Sequence, residues 1–167
     1  MSVNIVENPS FEDGSGDKLP GWEVVGSTPE QVITSGDAHS GNKYASLVPV
    51  GNELRLLSKE LPVHPRRRYG LTWWTRLNGE RPWHWTYLTR FTGVEVDFFS
   101  QTGRLVGRLT RRIRCLRTRG WVKSWTILDI PSGARHCRVS FVLDSPKTIS
   151  MQMDLDDVKL TRIEPNP

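Results

Sequence analysis

The chain has 167 residues, enough for one domain with a sizeable hydrophobic core. No apolar run approaches the length of a membrane-spanning helix, and the first residues show neither the basic end nor the apolar stretch of a signal peptide. The formal net charge is +5, and the excess is concentrated at residues 66–68 and in seven arginines between residues 104 and 119. Such clusters are either solvated edges or a surface that attracts a polyanion, and charge alone does not choose between them.

The N-terminal third alternates turn-forming segments with short runs of alternating apolar residues. Residues 8–14 predict a turn around one apolar anchor, Phe11, and a Pro-Gly turn precedes Trp22, where the first short strand is predicted to begin. Further strands are predicted at residues 31–34, 44–48 and 54–57, followed by an extended crossover at 61–65. No window of the chain shows a helical period.

The densest aromatic region, residues 69–99, predicts three successive strands at 69–77, 83–91 and 94–99. In each strand, period-2 alternation separates an apolar face from a mixed face. The apolar faces hold Tyr69, Leu71, Trp73 and Leu77, then Trp83, Trp85, Tyr87 and Phe91, then Val94, Val96 and Phe98. The mixed faces include Trp74 and Arg76, then His84 and Arg90, then Glu95 and Asp97. A face that combines indole, guanidinium, imidazole and carboxylate groups indicates a recognition surface.

The C-terminal half continues the strand pattern. A hairpin is predicted at residues 100–103, and strands are predicted at 104–116, 121–130, 135–143 and 149–163. Strands separated by turn signals about every ten residues predict an all-β fold, an antiparallel β-sandwich. We expect one domain over residues 1–163, with residues 164–167 as a tail or the start of a linker.

The two cysteines, Cys115 and Cys137, permit one disulfide and require none. Cys137 shares its strand parity with Val139 and Phe141, which favours a buried free thiol. Neither cysteine has the paired C-x-x-C spacing of a zinc site.

Six short motifs follow one another in an order known from a family of binding domains. They are Asn-Pro-Ser-Phe-Glu at 8–12, Gly-Trp at 21–22, Asp-Ala-His-Ser-Gly at 37–41 followed by Lys-Tyr at 43–44, Tyr-Gly-Leu-Thr-Trp-Trp at 69–74, Trp125 followed by Pro-Ser-Gly-Ala at 131–134, and Leu-Asp-Asp-Val at 155–158. This order resembles the jelly-roll carbohydrate-binding modules of the families 4, 9, 16 and 22 type. The resemblance implies a non-catalytic, monomeric jelly roll that grips a polysaccharide in a cleft. It also implies that the domain is part of a larger secreted, extracellular glycoside hydrolase or lyase.

The same resemblance implies a structural calcium ion. Carried over by position, its donors are the carboxylates of Glu12 and of Asp156 or Asp157, with main-chain carbonyls near Ser10, Ser35 and Lys43. Calcium takes six to eight oxygen ligands, which suits carboxylates and loop carbonyls. The alternative is that Glu12 and Asp156 are ordinary polar groups of a turn and a strand edge. Because these donors sit near the chain's ends, we expect the metal to lie away from the aromatic strands.

The candidate ligand-binding residues offer both stacking surfaces and hydrogen-bonding groups to a sugar. A pyranose ring stacks on an indole, and its hydroxyls require planar, multi-point hydrogen-bonding groups. These residues are Trp74, Arg76, His84, Arg90, Glu95, Asp97 and Trp121. Trp74 has the alternative role of a core residue, and Trp121 is either a cleft wall or a cap on the core. Trp125, which matches the family's strand-opening tryptophan, is predicted to be structural.

Catalysis has little support in the sequence, which lacks a nucleophile elbow, a His-Glu-x-x-His motif and a glycine-rich phosphate loop. Glu95 and Asp97 are interpreted as a polar wall and not as an acid–base pair. We therefore predict a polysaccharide- or oligosaccharide-binding module that binds neither nucleic acid nor membrane, with xylan, glucan or a polyuronate as ligand. The alternatives are a small jelly-roll lyase acting on a polyuronate through His84, Tyr87 and Arg90, and nucleic-acid binding by basic and stacking residues.

Overall fold

The computed structural model describes residues 3–15, 18–26, 32–49, 53–79, 91–113, 120–144 and 151–164. Eleven strands and no helix are found in these ranges. The strands are β1 (Trp22–Gly26), β2 (Ile33–Ser35), β3 (Lys43–Leu47), β4 (Glu53–Ser58), β5 (Leu61–Pro62), β6 (Arg68–Gly79), β7 (Phe91–Phe99), β8 (Leu105–Arg112), β9 (Val122–Asp129), β10 (His136–Asp144) and β11 (Met151–Ile163). Within the same ranges, nothing helical is long and apolar enough to cross a membrane.

The strands form two antiparallel sheets. The six-stranded sheet has the order β1-β4-β10-β7-β8, with β5 paired to β10, and the five-stranded sheet has the order β2-β3-β11-β6-β9. Consecutive strands often lie in different sheets; β6 and β7, for example, are in the five-stranded and the six-stranded sheet. The predicted antiparallel β-sandwich is confirmed, and its topology is that of a jelly roll.

The core lies between the sheets and follows the predicted alternation. On β6, Tyr69, Leu71 and Trp73 are at most 3% exposed, and on β7, Val94 and Val96 are fully buried. The turn anchor Phe11 is also fully buried and packs against Trp22, at 5.4 Å between ring centroids. Alternation therefore predicted correctly which side of these two strands is buried.

Some of the sequence predictions concern residues that lie wholly or partly outside the described ranges. The predicted strand at 83–91 lies outside them except for Phe91, where β7 begins. The expectation that Phe91 faces the core is wrong, because in β7 it shares the side of Glu95 and Asp97 and is only partly buried. Cys137 is a fully buried free thiol on β10, as its parity predicts, and burial raises its pKa to about 12. Cys115 lies outside the described residues, as do residues 165–167 of the predicted tail.

A β-bulge in β11 explains the Leu-Asp-Asp-Val motif. Leu155 and Val158 are both fully buried in the core although they are three residues apart, which strict alternation forbids. The register between β11 and β6 shifts between Asp156 and Lys159, and Asp157 has a positive φ of 48°. The extra residue re-aims the backbone locally. As a result, both aspartates make contacts with the loop between β2 and β3.

Candidate functional site

Aromatic and charged side chains gather on the solvent side of the five-stranded sheet, which we call the outer aromatic face. In the β6–β9 ladder, Trp74 pairs with Lys123, and Thr72 pairs with Trp125, so these four side chains point to the same side. The other members of the outer aromatic face are Tyr44, Arg76, Trp121 and Asp154, with Asp37 and His39 from the β2–β3 loop. The structure therefore brings together three of the predicted ligand-binding residues, Trp74, Arg76 and Trp121.

Arg76 is at the centre of this face and is satisfied within the protein. Its Nε donates to Asp154 Oδ2 at 3.0 Å, and its Nη1 donates to the carboxylate and to the carbonyl of Asp37. The guanidinium also lies 4.8 Å from the ring centroid of Trp121 and 5.3 Å from that of Tyr44. Burial acts to lower the pKa of Arg76, but the hydrogen bonds and charge interactions with Asp154 and Asp37 together outweigh this effect, and the pKa is raised. Arg76 consequently holds the face together.

Trp74 is covered on one ring face by the loop. The His39 ring stacks on the Trp74 ring at 3.7 Å between centroids and an interplanar angle of 18°. His39 Nδ1 lies 2.7 Å from Asp157 Oδ2, which fixes the orientation of the imidazole. Trp121 Nε1 donates to the carbonyl of Asp37 at 3.1 Å, which ties it to the same loop. The ring face of Trp74 under His39 is therefore closed to a sugar.

Trp125 is the residue that sequence reasoning missed. Its side chain is 68% exposed, and no other aromatic residue in the described ranges is classed as exposed. The prediction that Trp125 is structural is wrong, because Thr126 and Leu128 occupy the buried parity of β9 and Trp125 has the opposite parity. The exposed Lys123, on the same side of the strand, was the signal that could have placed this indole outside.

Glu95 and Asp97 lie on the opposite side of the molecule, on the solvent side of the six-stranded sheet. Asp97 accepts from Arg108 at 2.5 and 2.9 Å, and Glu95 accepts from Arg55 at 2.7 Å. The expectation that all candidate residues line one cleft is wrong, because β6 and β7 belong to different sheets and their polar sides face apart. We call this second surface the charged outer face. His84 and Arg90, and with them Tyr87 of the lyase alternative, lie outside the described residues.

The predicted calcium donors are divided between two places. Glu12 Oε1 accepts the backbone N–H groups of Asn42 and Lys43 at 2.8 and 2.7 Å, while Lys43 Nζ donates to the carbonyls of Glu12 and Gly14, both at 2.8 Å. A Cβ at Gly41 would collide with the Glu12 carboxylate, so glycine permits this contact. The Lys43 ammonium group therefore already donates hydrogen bonds to the carbonyls of Glu12 and Gly14, and this half of the site does not fit a calcium ion.

The other half of the predicted calcium site contains a histidine. The side chains of His39, Asp156 and Asp157 have ligand atoms within 4.8 Å of one another, and Glu12 is not part of this group. Burial raises the pKa of Asp156 to about 6, although the N–H groups of Ser40 and Asp157 donate to it. The expectation that these carboxylates lie away from the aromatic strands is wrong, because Asp156 is the register partner of Trp74. An imidazole with two carboxylates is also a poorer match to calcium than an all-oxygen set.

Lys43→Met is expected to lower the free energy of unfolding by about 2 kcal/mol, because two charge-assisted hydrogen bonds to carbonyls are lost. Chelator or added calcium is expected to leave the melting temperature of the wild-type protein unchanged. Thermal and denaturant unfolding measure both effects. Lys59→Met is the matched control, since the ion pair of Lys59 with Glu7 is solvent-exposed and its loss should barely change the free energy of unfolding. A melting temperature that falls by several degrees on chelation would restore calcium as a structural ion.

No family model and no curated protein sequence matches the chain. Solved structures do match. The enzymatically active domain of tailspike protein 4 from bacteriophage CBA120 is similar at 18% sequence identity and a TM-score of 0.70, over 96% of this chain and only 22% of that one. A CBM61 module in complex with β-1,4-galactotriose is similar at 16% identity and a TM-score of 0.63, over 97% of this chain and 100% of that one.

The same fold also carries other activities. A Stig cyclase, Fisc from Fischerella sp. TAU, is similar at 15% identity and a TM-score of 0.62, over 99% of this chain and 100% of that one. Carbohydrate-binding modules of families 16 and 22 match at 15 to 18% identity. At these identities the likeness shows the fold, which is that of the jelly-roll carbohydrate-binding modules, as the order of motifs predicted.

Proposed function

We propose that this domain is a non-catalytic carbohydrate-binding module, and that it binds a polysaccharide or oligosaccharide across the outer aromatic face. The observation that carries this proposal is the 68% exposed indole of Trp125, which lies on the solvent side of the five-stranded sheet together with Trp74 and Lys123. A pyranose ring presents a C–H face that stacks on an indole, while hydroxyl groups need donors and acceptors nearby. Lys123 and the carboxylate of Asp37 offer such groups, both exposed.

The two outer faces differ in what they offer a sugar. The charged outer face carries paired guanidinium and carboxylate groups, such as Arg108 with Asp97, and no exposed aromatic ring among its described residues. Its polar groups already satisfy one another, so a glycan would have to displace ion pairs without the gain from stacking. On the outer aromatic face, a glycan can stack on Trp125 without displacing an ion pair. We therefore place the glycan on the five-stranded sheet, and we assign the domain to a larger secreted enzyme that it would target to its substrate.

Trp125→Ala is expected to weaken glycan binding about tenfold to a hundredfold, since a stacked aromatic contact is worth on the order of 1–3 kcal/mol. The fold should be unaffected, because the indole is exposed. Affinity gel electrophoresis against neutral and acidic polysaccharides, followed by calorimetry with an oligosaccharide of the strongest binder, measures the effect. Arg108→Ala, on the charged outer face, is the matched control and should retain full affinity.

Two results would contradict the proposal, and they are distinguishable. If no polysaccharide in the panel retards the wild-type protein, glycan binding itself is wrong. If Arg108→Ala abolishes binding and Trp125→Ala does not, the function stands and the site moves to the charged outer face.

A further inference from the structure

We propose that a cavity between the edge strands β8 and β9 binds the carboxylate of an acidic sugar, so that the ligand of this module is a uronic-acid-containing glycan. The inference rests on the proposed function and names its ligand class. The cavity has a volume of about 550 Å³, within the range of small-molecule sites. It is lined by Trp73, Thr75 and Leu77 of β6, by Arg111, Arg112 and Ile113 at the end of β8, and by Val122, Lys123, Ser124, Trp125 and Thr126 of β9.

The charge of the lining selects for an anion. Arg111 is the cationic lining residue on the interior side of its strand, whereas the Arg112 guanidinium lies over Phe91 and Lys123 points to the outer aromatic face. None of the lining residues in the described ranges is acidic. A cavity with this imbalance attracts an anion and holds it more strongly where water is partly excluded. The hydroxyl groups of Thr75, Ser124 and Thr126 add neutral donors to the same lining.

Arg111 is the residue that suits the cavity to a carboxylate. It pairs with the fully buried Val94 in the β7–β8 ladder, so its side chain points to the interior side of an edge strand. The residue is nevertheless exposed, which places the guanidinium at the open edge between the sheets. The described residues provide no ion pair for Arg111, in contrast to Arg108 on the same strand, which is paired with Asp97. A guanidinium binds a carboxylate through two parallel hydrogen bonds, so Arg111 is suited to this ligand.

The indole of Trp73 provides an independent indication that an acceptor belongs in the cavity. Trp73 lines the cavity, its side chain is 97% buried, and its Nε1 has no hydrogen-bond partner. A buried donor without an acceptor costs about 1–3 kcal/mol, so such groups are rare unless a ligand or water satisfies them. A carboxylate or ring oxygen of a bound sugar would supply the missing acceptor.

Trp125 connects the cavity with the proposed glycan surface, because it belongs to the lining and also to the outer aromatic face. A glycan chain stacked on this indole would therefore pass the mouth of the cavity. An acidic substituent or a chain end would enter it, while a neutral chain would gain only the stacking contact.

Calorimetric titration with trigalacturonate and with its methyl ester tests the inference, because the two probes share one backbone and differ in charge. The acid is expected to bind at least about tenfold more tightly than the ester at low salt, and this preference should shrink at high salt. Arg111→Ala should remove the preference and leave the affinity for the ester unchanged. Arg104→Ala, which removes the same charge immediately before the same strand, should keep this preference. The indole N–H resonance of Trp73, assigned with Trp73→Phe, should shift with the acid.

Equal affinity for the acid and the ester, or a preference that survives in Arg111→Ala, would overturn the inference and leave glycan binding intact. Binding of neither probe by a protein that binds neutral glycans would overturn only the acidic ligand class. If no glycan binds at all, the proposed function fails, and this inference fails with it.

Discussion

Replacing Arg76 with alanine is expected to lower the free energy of unfolding by about 3 kcal/mol, the lower end of the cost of breaking a buried ion pair. The reason is its partner Asp154, which is fully buried and would lose the guanidinium that donates to it at 3.0 Å. The aromatic contacts of the guanidinium with Tyr44 and Trp121 would be lost as well. Denaturant unfolding with linear extrapolation measures the change.

The interpretation is checked by two further variants. Arg108→Ala breaks an ion pair in which the arginine is 49% exposed, and its expected cost is below about 1 kcal/mol. Replacing both partners, with Arg76→Met and Asp154→Leu together, should recover most of the stability lost in Arg76→Ala, because no unpaired buried charge remains. A loss in Arg76→Ala as small as that in Arg108→Ala would mean that Arg76 is not structural and is free to contact a ligand.

Replacing Trp74 with alanine is expected to lower the free energy of unfolding by about 2 kcal/mol, less than a fully buried tryptophan because the residue is half-buried. The variant also removes the surface on which His39 stacks, so the β2–β3 loop should open more often. Hydrogen exchange of the backbone N–H groups of Ser40 and Lys43 reports this opening, because both donate to carboxylates when the loop is closed. Both should exchange faster in Trp74→Ala.

Trp125→Ala is the control for Trp74→Ala, since it deletes an exposed indole from the same face and should leave both stability and loop exchange near the wild-type values. The sequence by itself predicts the opposite assignment, with Trp74 as the sugar platform. A Trp74→Ala variant of wild-type stability that no longer binds glycans would establish that assignment and refute ours.

Much of the fold was predictable because the signal is local. Alternation of apolar and polar residues marks a half-buried strand wherever one face of a sheet is solvated, and the turn residues between strands mark their ends. The strands from β6 to β11 were predicted within a few residues of their observed bounds on this basis. The buried sides of β6 and β7 were predicted from the same pattern.

The candidate site was only partly predictable, because two of its residues have roles that hydrophobic periodicity does not indicate. His39 lies in a loop, where nothing in the sequence indicates that its ring stacks on Trp74. Lys43 is the first residue of β3, and its ammonium group takes a role that the resemblance assigned to a metal. On β9, the resemblance to a strand-opening tryptophan made Trp125 a structural residue, whereas the structure buries Thr126 and leaves Trp125 exposed.

The sequence by itself determined which residues form strands and, for most strands, which side of each strand faces solvent. Only the tertiary structure decided which strands share a sheet, because pairing depends on contacts between residues far apart in the chain and leaves no mark in the local alternation. Trp74 and Glu95 illustrate the difference. Both were correctly predicted to point away from the core, yet β6 and β7 join different sheets. The two residues therefore face opposite sides of the sandwich, and one predicted cleft became two separate surfaces.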